Sequence, residues 1–203
     1  MKRLVRYLFQ SFRGIFFDLD MGSDAPVEKM DLNGYAFREI KRDSFKSDPI
    51  FAEKNRQARF CSHFDKGHRC YGFFDSDDFI VSYLWISISD KEITVPWIFN
   101  MRLIVRPGVA YIWDCFTAVD YRRQGLYRKG LLNARPVCFN KGVKKAYIYC
   151  TRDNLYSKAG ITSAGFKEAF SFFGIRIGPL CIIKKPGGRI KIAARGQTHD
   201  ITA

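Results

Sequence analysis

The chain has 203 residues, 47% of them hydrophobic and 16% aromatic, which gives one domain room for a sizeable core and excludes a disordered or low-complexity class. Its formal net charge is +14, so a phosphorylated cofactor, an anionic membrane surface or nucleic acid would each suit it as a partner. Eight of the surplus charges lie at the ends, in residues 1–13 and 184–203.

The first seventeen residues, MKRLVRYLFQSFRGIFF, place Leu4, Leu8, Phe12 and Ile15 on one side of a helix and Arg3, Arg6, Gln10 and Arg13 on another. Arg6 and Arg13 interrupt the apolar run, so the segment cannot span a bilayer, and no small-residue cleavage pattern follows it. Two readings stay open: a basic amphipathic helix in peripheral contact with a membrane, or a terminal helix packed on the domain. The domain proper is expected over residues 34–185, with this segment and a loop at 1–33 ahead of it and a basic tail at 186–203 behind.

Tyr35–Ile40 alternates and reads as the first strand. Asp48-Pro49 is a helix start, with Asp48 as N-cap, and predicts a helix over Ile50–Phe64. Arg69–Phe74 and Phe79–Ile88 read as a hairpin around the turn at Asp75–Asp78. Glu92–Val105 is rich in β-formers but interrupted by Pro96 and Asn100, so it reads as a strand or loop insertion. Cys61-x-His63 and His68-x-Cys70 bring four zinc-type side chains close in sequence, but the one-residue spacing is too short for a zinc knuckle, and no metal is expected. Cys61, Cys70, Cys115, Cys138, Cys150 and Cys181 form no C-x-x-C pair, and the chain reads as a reduced, cytoplasmic protein.

Residues 111–149 carry the most information. Tyr111, Ile112, Trp113, Cys115 and Phe116 make a strand; Leu126, Leu131, Leu132 and Ala134 make a helix; Ala146–Cys150 makes a second strand. Between the first two lies a basic turn, Asp120-Tyr121-Arg122-Arg123-Gln124-Gly125. A helix N-terminus leaves backbone N–H groups unpaired and partially positive; Gly125 leaves them accessible, and Arg122 and Arg123 add full charges. That is a cradle for a phosphate or pyrophosphate, or an ordinary strand-to-helix turn with exposed arginines.

Arg122-x-x-Gly125-x-Tyr127, between a strand and an amphipathic helix, resembles the acyl-CoA-binding turn of the GCN5-related N-acetyltransferases (GNAT). The family has Gly or Ala where this chain has Tyr127. Its second landmark, after the next strand, is matched by Asn154, Ser157 and Gly165-Phe166, with Ile161 where the family has Tyr. The resemblance implies an α/β (α+β) fold: a mixed, mostly antiparallel central sheet flanked by helices and splayed at the acyl-CoA-binding strand.

It also implies a site. Phe116, Thr117 and Ala118 would offer backbone groups to the pantetheine arm of acetyl-CoA. Arg122, Arg123, Gln124, Gly125, Leu126 and Tyr127 would hold the pyrophosphate; Asn154 would touch the pantetheine region, with Ser157 in an accessory polar role. N-acyl transfer needs a neutral amine, and Asp114, an acid in an apolar strand whose burial would raise its pKa, is the candidate base; it also reads as a structural carboxylate. Ile161 leaves the general acid unassigned. Beyond this segment, Phe166–Ile177 is expected as a strand pair with Phe170, Phe172 and Phe173 in the core or lining the substrate, followed by a strand at Leu180–Ile183 and a weakly ordered tail. The leading expectation is an acyl-CoA-dependent N-acyltransferase, moving acetyl to a primary amine of a small molecule such as an amino sugar. The alternatives are a catalytically silent acyl-CoA-binding domain and a basic nucleic-acid-binding protein, although no nucleic-acid motif is present.

Overall fold

A computed structural model describes residues 9–22, 34–45, 48–51, 54–88, 91–95, 101–177, 180–184, 190–194 and 198–200. Among the described residues nine strands form one open sheet: β1 (Phe9–Asp20), β2 (Ala36–Ile40), β3 (Arg69–Phe74), β4 (Ile80–Ile88), β7 (Val109–Thr117), β8 (Lys145–Thr151), β9 (Lys167–Ile177), β10 (Leu180–Lys184) and β11 (Ile190–Ala194). Their order across it is β11-β10-β9-β1-β8-β7-β4-β3-β2. Every pair in it is antiparallel except β7–β8. A smaller sheet joins β5 (Lys91–Val95), β6 (Met101–Val105) and β12 (Thr198–Asp200). Three helices flank the large sheet: α1 (Lys54–Asp65), α2 (Leu126–Phe139) and α3 (Leu155–Ser163). Among the described residues no helix is long and apolar enough to cross a membrane.

The period-2 pattern sorts each strand between two cores. On one face, Phe17, Ile112 and Ile148 pack under Leu131 and Ala134 of α2 and Ile161 of α3. On the other, Phe16, Trp85, Tyr111 and Trp113 pack with Phe60 of α1 and with Phe45 and Phe51 ahead of it. Asp48 ties that segment down. Its carboxylate accepts from the N–H of Ile50 at 3.0 Å, as an N-cap does, and from the N–H of Ile80 at 2.6 Å. The turn it caps is a single 3-10 turn, Pro49–Phe51, before α1.

Three expectations are corrected. Residues 9–17 are strand, not helix; residues 1–8 and the loop at 23–33 lie outside the described residues. Nine residues of mixed periodicity fit either form, and β1 gains a hydrogen-bonded neighbour on both edges, Phe16 pairing Tyr149 and Phe170. The segment Phe166–Ile177 carries one long strand rather than a pair, so alternation leaves Phe172 buried and puts Phe173 out in solvent, with Arg13 against its ring. The basic tail carries β11, which extends the sheet, and β12, which runs parallel to β6.

Candidate functional site

The parallel ladder of β7 and β8 runs from Val109↔Lys145 to Ile112↔Ile148 and stops. Beyond it β7 continues along β4, while β8 continues along β1. The strands therefore part, leaving an open edge at Trp113–Thr117 that faces Tyr149–Thr151. Beside the parting β7 carries a bulge. Tyr83 pairs Phe116 and Trp85 pairs Trp113, so Asp114 and Cys115 together oppose Leu84. Asp114 has φ +42, a left-handed conformation that a non-glycine residue adopts only when its surroundings hold it there. One such hold is Trp113, whose indole N–H donates to Ser87 Oγ at 2.8 Å, which in turn meets His68 Nδ1 at 2.8 Å.

The end of β7 and the following loop are pinned side by side. Ser82 Oγ donates to the Phe116 carbonyl at 2.9 Å and lies 2.9 Å from Thr117 Oγ1. The Ala118 N–H bonds to Val81, and Arg122 Nε reaches back to the Thr117 carbonyl at 3.1 Å. Tyr121 donates to Asp75 and Tyr35 donates to Gln124, at 2.8 and 2.7 Å. Arg123 and Gly125 then turn the chain at φ +64 and +75 into α2. No side chain caps that helix, and a Cβ placed on Gly125 would meet nothing within 4 Å. Leu126 is buried against Phe73 and Val81, so it faces the opening with its backbone alone. The result is an exposed, uncapped helix N-terminus just after Arg122 and Arg123, the chemistry an anion wants.

Tyr127, in the first turn of α2, packs against α3. Its hydroxyl is 3.1 Å from Ser157 Oγ, and its ring lies so close to Gly160 that a Cβ there would come within 2.5 Å. Cys115 of β7 and Cys150 of β8 are both near enough to help burial hold its pKa above the ordinary tyrosine value. Asn154 accepts from the Ser157 N–H at 3.0 Å and caps α3. The turn and the Asn154–Ser157 landmark, separate in sequence, thus meet through Tyr127 and Ser157.

Asp114 is on the other face, with α1. Its Oδ2 is 3.6 Å from Arg59 Nε and is buried with no hydrogen-bond partner among the described residues. Burial raises its pKa; Arg59 and then Arg56 oppose that rise. Arg56 lies 4.6 Å above the Phe116 ring, which stacks on Tyr83. Across the parting, Tyr149 has a buried hydroxyl with no hydrogen-bond partner among the described residues. Ile161 is fully buried under the sheet and Tyr156 is 93% exposed. Arg56, Arg59, Tyr35 and Tyr149 are the site residues that motif spacing did not reveal. The sequence does signal Arg56 and Arg59, as charges on the polar side of the helix expected over Ile50–Phe64, and Tyr149 through the strand alternation with Tyr147. Among the described residues no three His, Cys, Asp or Glu side chains are placed to hold a metal ion.

A mixed sheet that parts beside a bulge, with an uncapped helix N-terminus at the head of the gap, is the GNAT architecture. The model of the acetyltransferase (GNAT) family matches residues 35–166, and the chain belongs to that family. The match leaves out β1, which nonetheless lies within the sheet. The fold is similar to a GNAT acetyltransferase from Colwellia psychrerythraea (TM-score 0.57, 11% identity, 83% of this chain and 56% of that one). It is also similar to a GCN5-related N-acetyltransferase from Sphaerobacter thermophilus (TM-score 0.56, 10% identity, 91% and 55%). A Drosophila protein aligns at TM-score 0.54 and 14% identity, over 86% and 54%. The chain therefore spans little more than half the length of these structures. No curated protein matches it.

Proposed function

We propose that the chain is an N-acyltransferase that takes acetyl from acetyl-CoA and passes it to a primary amine of a small molecule. The observation that carries this reading is the uncapped α2 N-terminus with Gly125 open before it, at the head of the β7–β8 parting. A diphosphate fits the backbone N–H groups there, with Arg122 and Arg123 alongside. The parting leads from that cradle through the sheet to Asp114. When bound, acetyl-CoA supplies the activated acyl carbon. Asp114 removes a proton from the incoming ammonium so that the amine becomes nucleophilic. Its pKa lies above the usual 3.8, so activity falls on acidification through an ionisation above that value. Tyr149, whose hydroxyl has no hydrogen-bond partner among the described residues, donates to the departing sulfur in place of the hydroxyl that Ile161 lacks.

The test is calorimetry with acetyl-CoA on the wild type and on Gly125→Glu, followed by thiol release with an amine panel. Micromolar binding that the variant loses, together with turnover that drops in Asp114→Asn and Tyr149→Phe, is the expected result. No binding by the wild type overturns the reading. Binding without turnover on any amine favours the second reading, a silent acyl-CoA-binding domain, for which the buried Ile161 and the bulk of Tyr127 speak.

A further inference from the structure

We propose that Ser87 and Ser82, two buried serines of β4, are positioning residues for acyl transfer: they brace β7 on either side of its bulge, Ser87 fixing the base Asp114 and Ser82 fixing the edge at Phe116–Thr117. The proposal rests on the acyltransferase reading and adds to it the groups that hold its base and its donor edge in place.

A buried hydroxyl in an apolar sheet core must find partners. Among the described residues only Asp48, His68, Ser82 and Ser87 are buried polar side chains, and the last three lie against β7 beside the bulge. Ser87 Oγ accepts the Trp113 indole N–H at 2.8 Å and lies 2.8 Å from His68 Nδ1. The bond runs diagonally, since Ser87 itself pairs with Tyr111. The His63 and His68 rings meet the same indole edge-on, with centroids at 4.6 and 5.2 Å. Trp113 is therefore fixed, and Asp114 is the next residue in the chain. On the other side of the bulge, Ser82 Oγ donates to the Phe116 carbonyl and lies beside Thr117 Oγ1, each at 2.9 Å.

Between these two pins β7 has a residue more than β4, because Asp114 and Cys115 both oppose Leu84. With both ends held, the surplus residue cannot slide along the ladder and is forced out as the bulge. That keeps Asp114 at φ +42. Its own carboxylate does not: Oδ2 has no hydrogen-bond partner among the described residues, and Arg59 Nε stands 3.6 Å away. A slip by a single residue would carry Asp114 to the opposite face of the sheet, away from α1. Burial raises the Asp114 pKa and outweighs Arg59 and Arg56, which lower it. Tyr83 of β4, Cys70 of β3 and Cys115 of β7 also face it, and burial holds each above its ordinary value, so they stay protonated and uncharged. An Asp114 freed from the brace moves toward water and titrates nearer the ordinary carboxylate value.

The experiment compares the wild type with Ser87→Ala, Ser87→Thr, Trp113→Phe and Ser82→Ala. Carboxyl NMR on aspartate-labelled protein without acetyl-CoA follows the Asp114 titration, with Asp114→Asn identifying the signal. Calorimetry gives acetyl-CoA affinity, and thiol release with the amine panel gives kcat. Ser87→Ala is expected to lower kcat about tenfold or more with acetyl-CoA affinity held within about twofold, and to move the Asp114 titration and the acid limb of kcat to lower pH. Trp113→Phe does the same, and Ser87→Thr, which keeps the hydroxyl, restores both. Ser82→Ala weakens acetyl-CoA binding as well, about fivefold. Leu131→Val, in the core under α2, loosens the fold and leaves the titration in place. An Asp114 titration unmoved by both Ser87→Ala and Trp113→Phe overturns the proposal, as does one that Leu131→Val or Ser87→Thr moves as far. Should Ser87→Ala not fold, Trp113→Phe removes the same bond, leaves Ser87 beside His68 and decides alone. Failure of acetyl-CoA to bind overturns the acyltransferase reading instead, and the titration still decides whether Ser87 holds Asp114.

Discussion

Replacing Tyr127 with Ala should weaken the fold and tighten acetyl-CoA binding at once. The ring rests on Gly160, and its hydroxyl meets Ser157 at 3.1 Å, with Cys115 and Cys150 nearby. A neutral hydrogen bond of this kind contributes about 1 kcal/mol net. Truncating a fully buried aromatic ring costs about 3–5 kcal/mol, and a ring at the edge of an opening that water can refill costs less, about 2 kcal/mol. If the pantetheine arm runs through the parting, it displaces this ring and spends that energy. Removing the ring in advance returns it as affinity, up to about thirtyfold for 2 kcal/mol. Tyr127→Phe removes only the hydroxyl and should gain about fivefold. Thermal unfolding reads the first effect and calorimetry with acetyl-CoA the second. An ordinary packing defect would lower stability and affinity together. Unchanged or weaker binding by Tyr127→Ala would refute the idea that the ring lies in the ligand's path.

Three further outcomes are expected. Burial, with His68, Arg59 and Lys66 nearby, lowers the pKa of His63 from 6.5 to about 3, so the unfolded chain takes up a proton that the folded chain refuses. Stability should therefore decline as pH falls from about 6.5 toward 3, and His63→Phe, which keeps a ring against Trp85 and Trp113, should flatten that decline in melting curves; parallel curves would sink the argument. Tyr35→Phe frees Gln124 at the sheet edge and should leave the melting temperature nearly unchanged while weakening acetyl-CoA binding about fivefold in calorimetry, since the loop loses one of its anchors. Asp48→Ala strands the N–H groups of Ile50 and Ile80 and should cost about 2 kcal/mol or more in denaturant unfolding, with a carboxylate-preserving Asp48→Glu recovering part of it.

The site was legible where one local segment makes it. The strand ending near Thr117, the turn with Gly125 and the helix from Leu126 each carry their own signal, and the turn's φ values are what Gly125 allows. Asp114 stood out as an acid in an apolar strand, but the bulge that turns it toward α1 depends on its register against Leu84, which no local pattern encodes. Arg59 is far from it in sequence and meets it only across the packed helix. The departure at Tyr127 was visible as bulk; that the bulk folds down onto Gly160 needed the helix packing. In β1 the local pattern pointed the wrong way, because Arg13 and Gln10 read as the polar side of a helix until both edges of the strand find partners.

That strand also sets an order of events during synthesis. Phe9–Asp20 leaves the ribosome long before its partners, since Gly14 pairs with Thr151, and Phe9 with Ile177. The N-terminal ribbon therefore waits for most of the chain before its place between β8 and β9 exists. A strand with Ile15, Phe16 and Phe17 side by side and no pairing partner is a template for wrong partners during that wait. Pairings this remote in sequence also close slowly. Growth temperature and translation rate are therefore expected to govern how much of this protein is recovered soluble more than the stability of the finished sheet does.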